Sequence, residues 1–411
     1  MQNNQKIPEG WSVVFLNSLS SKGIMNGIFN NPTKVGKGIP LINVVDLYSD
    51  KIDINHLSLL DVSEDELRRY ETITGDLLFT RSSLKLEGIA QCNIVPTKNS
   101  KCVFDCHIMR IRPNDQLVIP YYLFAYCNTA IAKMQFMKLS KTTTMTTIDQ
   151  DGLGQLKVLL PPLAEQEKIA GILGTWDEAI EKLSNLIEQK KLLKKGLMQK
   201  LLTGKTRLSG FTQPWKEVKL GEIFNIKKGQ GLSKEVLDDN GLNKCILYGE
   251  LYTKYSEVIK DVESRTNQCE GILSQIGDIL IPASTTTTGI DLANATSLLK
   301  EKVLLGGDIN ILRAKKEVSS IFFAYLLTHA YKFDIAKLAQ GITIIHLYGE
   351  FLKNMKIYIP SDTSEQQAIA DVLSTADDEI NLLNQKLEAL KEQKKGLMQQ
   401  LLTGQIRVKV N

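Results

Sequence analysis

The chain has 411 residues, 43% of them hydrophobic, and a formal net charge of +4 at pH 7. This indicates a globular protein of two to four domains and excludes a strongly basic, histone-like binder. The N-terminal residues MQNNQKIPEGW lack the apolar core of a signal peptide, and the longest apolar stretch, Ile321–Leu327, is far below the roughly 20 residues that span a bilayer. Six cysteines without a C-x-x-C pair favour reduced thiols and a cytoplasmic location.

The first module, within residues 1–162, shows strands and helices in alternation. Gly75-Asp76 predicts a turn before a buried strand that begins at Leu77. Phe124-Ala125-Tyr126 belongs to a predicted helix, and residues 156–160 form a predicted last strand that ends at Pro161. These elements predict a mixed α/β domain.

Residues 163–204 predict one long helix. Its apolar residues follow a 4-3 spacing, which is typical of the seam of a coiled coil: Ile169, Leu173, Trp176, Ile180, Leu183 and Ile187. Pro161-Pro162 fits the start of the helix and Gly204 fits its C-terminal cap. About 38 helical residues correspond to a rod of about 57 Å.

The second module, within residues 205–361, repeats the landmarks of the first. Trp215 and the residues after it match Trp11, and Gly277-Asp278 matches the earlier Gly-Asp turn. Phe323-Ala324-Tyr325 and the last strand, residues 355–360, also have counterparts, whereas the loops between these landmarks differ. Two modules with different ligands would have this pattern, and so would neutral divergence after duplication.

Residues 362–411 contain the second long helix and a short tail. Residues 165–208 and 365–408 align without a gap, with 22 of 44 positions identical. The second seam consists of Ile369, Leu373, Ala376, Ile380, Leu383 and Leu387. Stripes this narrow favour pairing of the two long helices with each other. The alternative is an ordinary hairpin in a helical domain, but about 160 residues of different character separate the helices.

Hydroxyl and basic side chains are concentrated in four loops, where they suit phosphate contacts and base-edge readout. In the first module these candidate DNA-binding residues are Arg81, Ser82, Ser83, Lys85, Lys141, Thr142, Thr143 and Thr144. In the second module they are Lys227, Lys228, Gln230, Ser284, Thr285, Thr286, Thr287 and Thr288. For any one loop taken alone, a plain solvated loop is the alternative interpretation.

Lys194 and Lys394 occupy seam positions where apolar residues are expected. One interpretation is that their stems pack while their ammonium groups reach water. The other is that the helices splay there and expose a surface for another subunit: Lys194, Lys195, Gly196, Leu197, Met198, Lys394, Lys395, Gly396, Leu397 and Met398. Glycine within a helix is unfavourable, and Gly196 and Gly396 favour close approach of another backbone.

The chain contains no recognisable catalytic constellation, so we expect no catalytic residues. No G-x-G-x-x-G opens a helix after a strand, and the Glu-x-Lys pairs at 188–190 and 392–394 lie on the long helices. Cys102, Cys106 and His107 match no common zinc spacing, so no metal site is expected.

The duplicated helices carry a family resemblance. The segments Pro161-Pro162-Leu163-Ala164-Glu165-Gln166 and Pro360 to Gln366, together with the KKGLMQ-x-LLTG tails at 194–204 and 394–404, resemble the specificity subunit of type I restriction–modification systems. The resemblance covers essentially the whole chain. Trp11 is followed by Ser-Val-Val rather than the usual Gly-Glu opening, and Ser361-Asp362-Thr363 replaces a second Pro-Leu.

The resemblance implies an α+β protein. Two mixed α/β target-recognition domains, 1–162 and 205–361, would be joined by the helices of 163–204 and 362–411 in an antiparallel coiled coil with an internal pseudo-two-fold repeat. Each domain would read one half of a bipartite site in double-stranded DNA, and the helices would set the non-specific spacer. Two methyltransferase subunits with S-adenosylmethionine, and restriction subunits with ATP and Mg, would join this chain, which would bind no cofactor itself. The rival hypothesis is an adaptor whose modules bind protein, without sequence preference or steep salt dependence.

Overall fold

The computed structural model describes residues 7–96, 101–142 and 144–410. The chain divides into two compact units: Met1–Lys182 with Leu387–Asn411, and Leu183–Lys386. Each unit contains one mixed α/β domain, the beginning of the long helix that follows it, and the end of the other long helix. The division therefore passes through both long helices.

Among its described residues, the first unit begins with twelve short strands and four short α-helices. The strands are β1 (Ser12–Phe15), β2 (Ser20–Asn26), β3 (Val35–Ile42), β4 (Ser58–Leu60), β5 (Leu77–Thr80), β6 (Ser82–Ser83), β7 (Cys92–Ile94), β8 (Val103–Phe104), β9 (Ile108–Pro113), β10 (Lys141–Thr142), β11 (Thr146–Thr147) and β12 (Lys157–Leu160). The helices are α1 (Glu64–Tyr70), α2 (Pro120–Cys127), α3 (Ala130–Leu139) and α4 (Gln150–Gly154), and the long helix α5 (Leu163–Leu201) follows.

The core of the first domain is an antiparallel sheet with the strand order β2-β9-β5-β7. All four residues of β5 are buried, as the sequence predicts, and Gly75 makes the preceding turn with φ +86°. Asp76 is fully buried at the start of this strand and accepts two hydrogen bonds of 2.8 Å from Arg112. A smaller sheet, β4-β3-β8, contains a parallel pair, and β1 pairs with β12.

The second unit contains the second domain and the second long helix. Its strands are β13 (Trp215–Lys219), β14 (Phe224–Lys228), β15 (Asn243–Ile246), β16 (Val258–Ile259), β17 (Arg265–Thr266), β18 (Ile272–Leu273), β19 (Asp278–Pro282), β20 (Ser284–Thr285), β21 (Thr296–Leu298), β22 (Leu304–Leu305), β23 (Ile309–Ala314), β24 (Ile345–His346) and β25 (Lys356–Pro360). Its helices are α6 (Leu220–Ile223), α7 (Glu250–Thr253), α8 (Ser320–Tyr325), α9 (Lys332–Lys337) and α10 (Gly349–Asn354), followed by α11 (Thr363–Leu402).

The second domain repeats the topology of the first. Its main sheet has the order β14-β23-β19-β21-β16, of which the first four strands correspond to β2-β9-β5-β7. The parallel pair β15–β22 corresponds to β3–β8, and β13–β25 corresponds to β1–β12. Asp278 pairs with Arg313 at 2.7 and 2.9 Å, as Asp76 does with Arg112. The internal repeat predicted from scattered sequence matches is therefore confirmed.

The long helices pair antiparallel within each unit. In the first unit, Ile169 and Leu173 share a core with Leu401 and Leu402. In the second unit, Ile369 and Leu373 share a core with Leu201 and Leu202. Burial of these apolar side chains at roughly 25 cal/mol per Å² stabilises each pairing. The predicted antiparallel coiled coil is confirmed.

Both long helices end in the same way. Gly204 and Gly404 adopt φ +68°, a left-handed conformation that glycine adopts without strain. The backbone N–H of Thr206 then donates to the Lys200 carbonyl, and Ile406 donates to Gln400. After each cap the chain packs back on the same unit, with Leu208 against the core of the second unit and Val408 against that of the first.

A Trp–Glu–Arg group holds the segment that follows each long helix. In the first unit, Arg407 donates to Glu165 at 2.7 and 2.8 Å, and the Trp11 indole donates to the same carboxylate at 3.0 Å. In the second unit, Arg207 and Trp215 bind Glu365 in the same way. Burial by itself would raise the pKa of Glu165, but the hydrogen bonds and charge of Arg407 outweigh it, and the pKa is lowered. Glu165 is therefore an ionised partner in the fold.

Arg407→Ala should destabilise the first unit by about 2 kcal/mol, because it leaves the Glu165 carboxylate buried without its cation; the figure lies below that for fully buried pairs since Arg407 is partly exposed. Chemical denaturation monitored by circular dichroism measures the change. Lys409→Ala, at an exposed tail position, is the matched control. A loss no larger than that of the control would contradict the assigned role.

Candidate nucleic-acid interface

In the first unit, two of the predicted polar loops form a single small sheet. Its strand order is β10-β11-β6, so Ser82–Ser83 and Lys141–Thr142 are both paired with Thr146–Thr147. The hydroxyls of Thr142 and Thr146 lie 3.2 Å apart. Candidates separated by almost sixty residues in sequence thus share one polar ribbon, which follows directly on the buried strand β5.

The first-unit candidates differ in exposure. Arg81 is half-buried and donates to the Cys106 carbonyl at 3.3 Å, whereas Lys85 and Thr144 are exposed. Lys141 is exposed and pairs with Asp149 at 3.3 Å. Thr143 lies outside the described residues. The exposed cations at the ribbon suit phosphate contacts, while Arg81 is held by the backbone.

The second unit has an equivalent ribbon after its own buried strand. β20 pairs with β24, so Ser284 lies opposite His346 and Thr285 opposite Ile345. Ser284 and Thr285 are themselves buried, and Thr287 and Thr288 both donate to Asp291, where they cap a short 3-10 helix. Of the five candidates at 284–288, the exposed ones are therefore Thr286, Thr287 and Thr288.

A depression beside this second ribbon gathers basic side chains. Lys227 and Lys228, at the end of β14, line it together with His346, Tyr348 and Lys353, and with the side chain of buried Asn310. Lys228 also pairs with Asp308 at 3.2 Å. Glu350 also lines this surface and pairs with Lys353 at 2.6 Å, but three lysines and a histidine around one concave surface still suit an anionic backbone.

Backbone packing next to this depression explains a glycine. A Cβ on Gly229 would lie 2.0 Å from the Gly306 carbonyl oxygen, so only glycine fits. The close approach holds exposed Gln230 next to β22, where its N–H donates to Leu305.

No pattern in the sequence singles out His346, Tyr348 or Lys353. The first module's stretch 138–144 stands out because it is rich in threonine and lysine, whereas the second module's stretch around Ile345–His346 does not. Pairing of the second stretch with Ser284–Thr285 is the structural signal for these residues.

Most of the predicted seam is buried. Ile169, Leu173, Leu183, Ile187, Ile369, Leu373, Ile380 and Leu387 are buried, while Trp176, Ile180, Ala376 and Leu383 are half-buried. The seam lysines match neither interpretation given for them. Lys194 binds Asp377 and Lys394 binds Asp177, each at 2.5 Å, so their ammonium groups are neither in water nor turned toward an outside surface.

Only part of the predicted subunit surface is open. Leu197 and Met198 pack on the core of the second unit, and Leu397 and Met398 pack on that of the first. Lys195 and Lys395 are exposed. A Cβ at Gly196 or Gly396 would meet nothing within 4 Å among the described residues. Packing inside each unit therefore does not explain the two glycines.

Asp105, Cys106 and His107 form a compact group on the turn before β9. Their potential ligand atoms lie within 4.8 Å of one another. Asp105 Oδ1 accepts a hydrogen bond from the His107 backbone and lies 2.8 Å from its Nδ1, a geometry that the turn itself explains. Cys102 is not part of the group. The expectation of no metal site thus stays a prediction.

Across the three described ranges, no helix is both long enough and apolar enough to cross a bilayer.

The fold defines a class of protein with two homologous α/β domains, each bearing a polar ribbon, on two paired long helices. A family model described as the type I restriction modification DNA specificity domain matches twice, over residues 8–189 and 212–392. The chain therefore belongs to the family of type I restriction–modification specificity subunits, which confirms the resemblance.

Individual relatives agree with this assignment. The putative type I restriction enzyme MjaX specificity subunit of Methanocaldococcus jannaschii is 28% identical and covers 98% of this chain and 95% of its own length. The EcoKI specificity subunit of Escherichia coli is 28% identical over 36% of this chain and 32% of its own length. The crystal structure of a type I S subunit from M. genitalium has the same fold, with a TM-score of 0.60, 16% identity and 98% coverage of both chains.

Proposed function

We propose that this chain is the DNA-reading subunit of a type I restriction–modification complex and recognises a bipartite site. Each domain reads one half-site with its polar ribbon and the adjoining basic residues. The observation that carries the proposal is that two domains of the same topology present such a ribbon at the same place, after the buried Gly-Asp strand, with different side chains. Two domains with the same topology but different ribbon side chains suit two different half-sites.

The energetics of recognition favour two readers on one scaffold. Each base pair contributes roughly 1–3 kcal/mol of discrimination, so a half-site of a few pairs cannot single out one locus in a genome. Joining the readers makes the second contact intramolecular and multiplies the specificity. The paired helices would set the spacer, because an error of one pair shifts a half-site by about 3.4 Å and rotates it by about 36°.

The same proposal assigns all catalysis to partners. Two methyltransferase subunits would carry S-adenosylmethionine and flip the target adenine, and restriction subunits would use ATP and Mg. This chain would bind no cofactor. The open positions at Gly196 and Gly396, each next to an exposed lysine, support a docking surface on the long helices.

The deciding experiment is a map of methylated adenines in DNA from cells that express this chain with its cognate methyltransferase subunit. The control is the methyltransferase subunit alone. Two short sequences at a fixed gap, seen only when this chain is present, would support the proposal. The same motif without this chain, or active methylation with no split motif, would favour the protein-binding adaptor.

Lys227→Ala combined with Lys228→Ala should weaken DNA binding across all sequences. If both lysines contact phosphates, the slope of log K against log salt should fall by about two. Fluorescence anisotropy at several salt concentrations measures this slope. Lys216→Ala with Lys219→Ala, on exposed positions of β13, is the matched control. An unchanged slope would remove these lysines from the interface.

A further inference from the structure

Each domain is attached to the start of its long helix by a glutamine. The side chain of Gln166 accepts from the Ile119 backbone at 2.9 Å and donates to the carbonyls of Leu117 and Pro161. The side chain of Gln366 likewise accepts from the Ser319 backbone at 3.3 Å and donates to the Pro360 carbonyl at 3.1 Å. These contacts fix one point of each domain on its helix.

A second attachment lies further along each helix. Asp177 accepts hydrogen bonds from Lys394 of the other long helix and from Tyr121 of α2. Asp377 accepts from Lys194, at 2.5 Å, and from Tyr325 of α8, at 2.5 Å. Each Tyr–Asp–Lys triad joins three segments of one unit: the domain, its own helix and the opposing helix.

The triads are partly buried, which separates them from ordinary surface pairs. The lysine side chains are 12% and 17% exposed and the aspartates 27% and 29%. Salt screens such groups less than exposed ions. Aspartate and lysine occur at the same places in both helices, whereas the tyrosines do not match: Tyr121 is two residues after Ile119, and Tyr325 is six after Ser319. The same contact is thus reached from different positions of the domain helix.

The glutamine and the triad lie along one axis and resist tilting together with the shared apolar core and, in the first unit, the exposed Lys51–Glu181 pair. Eleven residues separate Gln166 from Asp177, which is about 17 Å along the helix. A domain of this size is about 40 Å across, so a tilt of about 5° moves its far side by about 3.5 Å, close to the rise of one base pair. Loss of the second attachment would therefore widen the range of accepted spacer lengths without altering the ribbon.

From this geometry we infer that the two Tyr–Asp–Lys triads are positioning residues that set the tilt of each recognition domain and hence the strictness of spacer length. The inference rests on the proposed function. In both domains, the ribbon residues still determine which bases are recognised.

The two triads are not equally supported. In the second unit Glu257 lies 3.9 Å from Lys194 and 2.5 Å from His329, and Lys194 lies over the Tyr325 ring. Across the described residues of the first unit, no second carboxylate lies within ion-pair distance of Lys394. Loss of Asp177 should therefore loosen the first domain more than loss of Asp377 loosens the second.

The test uses the full chain with its cognate methyltransferase subunit and duplexes that carry the mapped half-sites with the natural spacer, one pair fewer or one pair more. The measured quantity is the methylation rate on the natural spacer divided by that on an altered spacer. Asp177→Asn and, separately, Lys394→Met should each lower this ratio by about fivefold or more, a change that loss of a charged hydrogen bond can produce. Asp377→Asn should have a smaller effect. Glu178→Gln, an exposed neighbour on the same helix, is the control.

The exchange of both charges, Asp177→Lys with Lys394→Asp, should restore the ratio in part. Thermal melting of each complex identifies any variant that fails to fold, and the two single variants act as checks on each other. Folded variants that keep the wild-type spacer ratio would overturn the inference, and so would variants that change the preferred bases instead. A wild-type complex without a split motif would instead refute the proposed function, a result visible before any variant is made.

Discussion

Insertion of four residues in each long helix, after Asn185 and after Gln385, is expected to lengthen the preferred spacer by one or two base pairs. Four helical residues add about 6 Å and about 40° of rotation. One base pair supplies about 3.4 Å and about 36°, so one pair matches the rotation and two match the length. This is the largest change in specificity that the proposed function predicts.

Both helices have to be lengthened. Asp177 lies opposite Lys394 and Asp377 opposite Lys194, so an insertion in one helix alone would shift one set of partners by a full turn. Insertion after residues 185 and 385 leaves both triads in register, because each point lies between the two. A four-residue insertion in a 4-3 seam also unwinds the coiled coil locally without breaking it.

The measurement is the map of methylated adenines for the lengthened chain with the cognate methyltransferase subunit. Asn185→Ala with Gln385→Ala, at the same exposed points without added length, controls for local damage. Unchanged half-sites with a wider gap would agree with the prediction. The natural spacer in the lengthened chain would mean that the helices do not measure the gap.

The long helices and the repeat could be predicted because their signals are local. The 4-3 spacing from Ile169 onward and its copy from Ile369 require no knowledge of distant contacts. The Gly-Asp turns are equally local, since a positive φ at Gly75 and Gly277 precedes a buried strand in each domain.

The ribbons could be predicted only in part. β6 and β11 have two residues each and pair across 63 positions, from Ser83 to Thr146. Two residues are too few for an alternating pattern, and long-range pairing depends on the whole domain. Composition therefore predicts the loops, whereas their assembly into one surface, and the position of His346 in it, depend on the fold.

The partners of the seam lysines could not be predicted from the sequence. A seam pattern describes one helix at a time, and it gave Lys194 and Lys394 no partner. The partners, Asp377 and Asp177, become visible only when the antiparallel register is fixed. Both aspartates are identical between the copies, which is the signal that the pattern contained.

Acidification should destabilise the second unit through Glu257. Burial alone would raise the pKa of this carboxyl, but the hydrogen bond from His329 and the charge of Lys194 outweigh it and lower the pKa to about 2. The ordinary value is 4.5. A carboxyl whose pKa is lowered by folding stabilises the protein above its unfolded pKa, and that stabilisation is lost as pH falls toward the folded pKa.

The expected loss is about 3 kcal/mol in total, since one pKa unit corresponds to about 1.4 kcal/mol, and most of it should fall between pH 4.5 and pH 2.5. Lys194, His329, Asp377 and Tyr325 are the titratable groups around this carboxylate. Glu257→Gln should lower stability at pH 6 and flatten its dependence on pH, because the variant has no carboxyl at this site.

Unfolding free energies from denaturant titrations between pH 6 and pH 2.5 test this prediction for the wild-type chain and the variant. Glu188→Gln, an exposed carboxyl on α5 that pairs only with Lys191 among the described residues, should keep the wild-type pH profile. Parallel profiles for wild type and Glu257→Gln would show that Glu257 is not held ionised by Lys194 and His329. A divergence that grows as pH rises from 2.5 to 4.5 and then levels off has the sign and the window that a lowered carboxyl pKa requires.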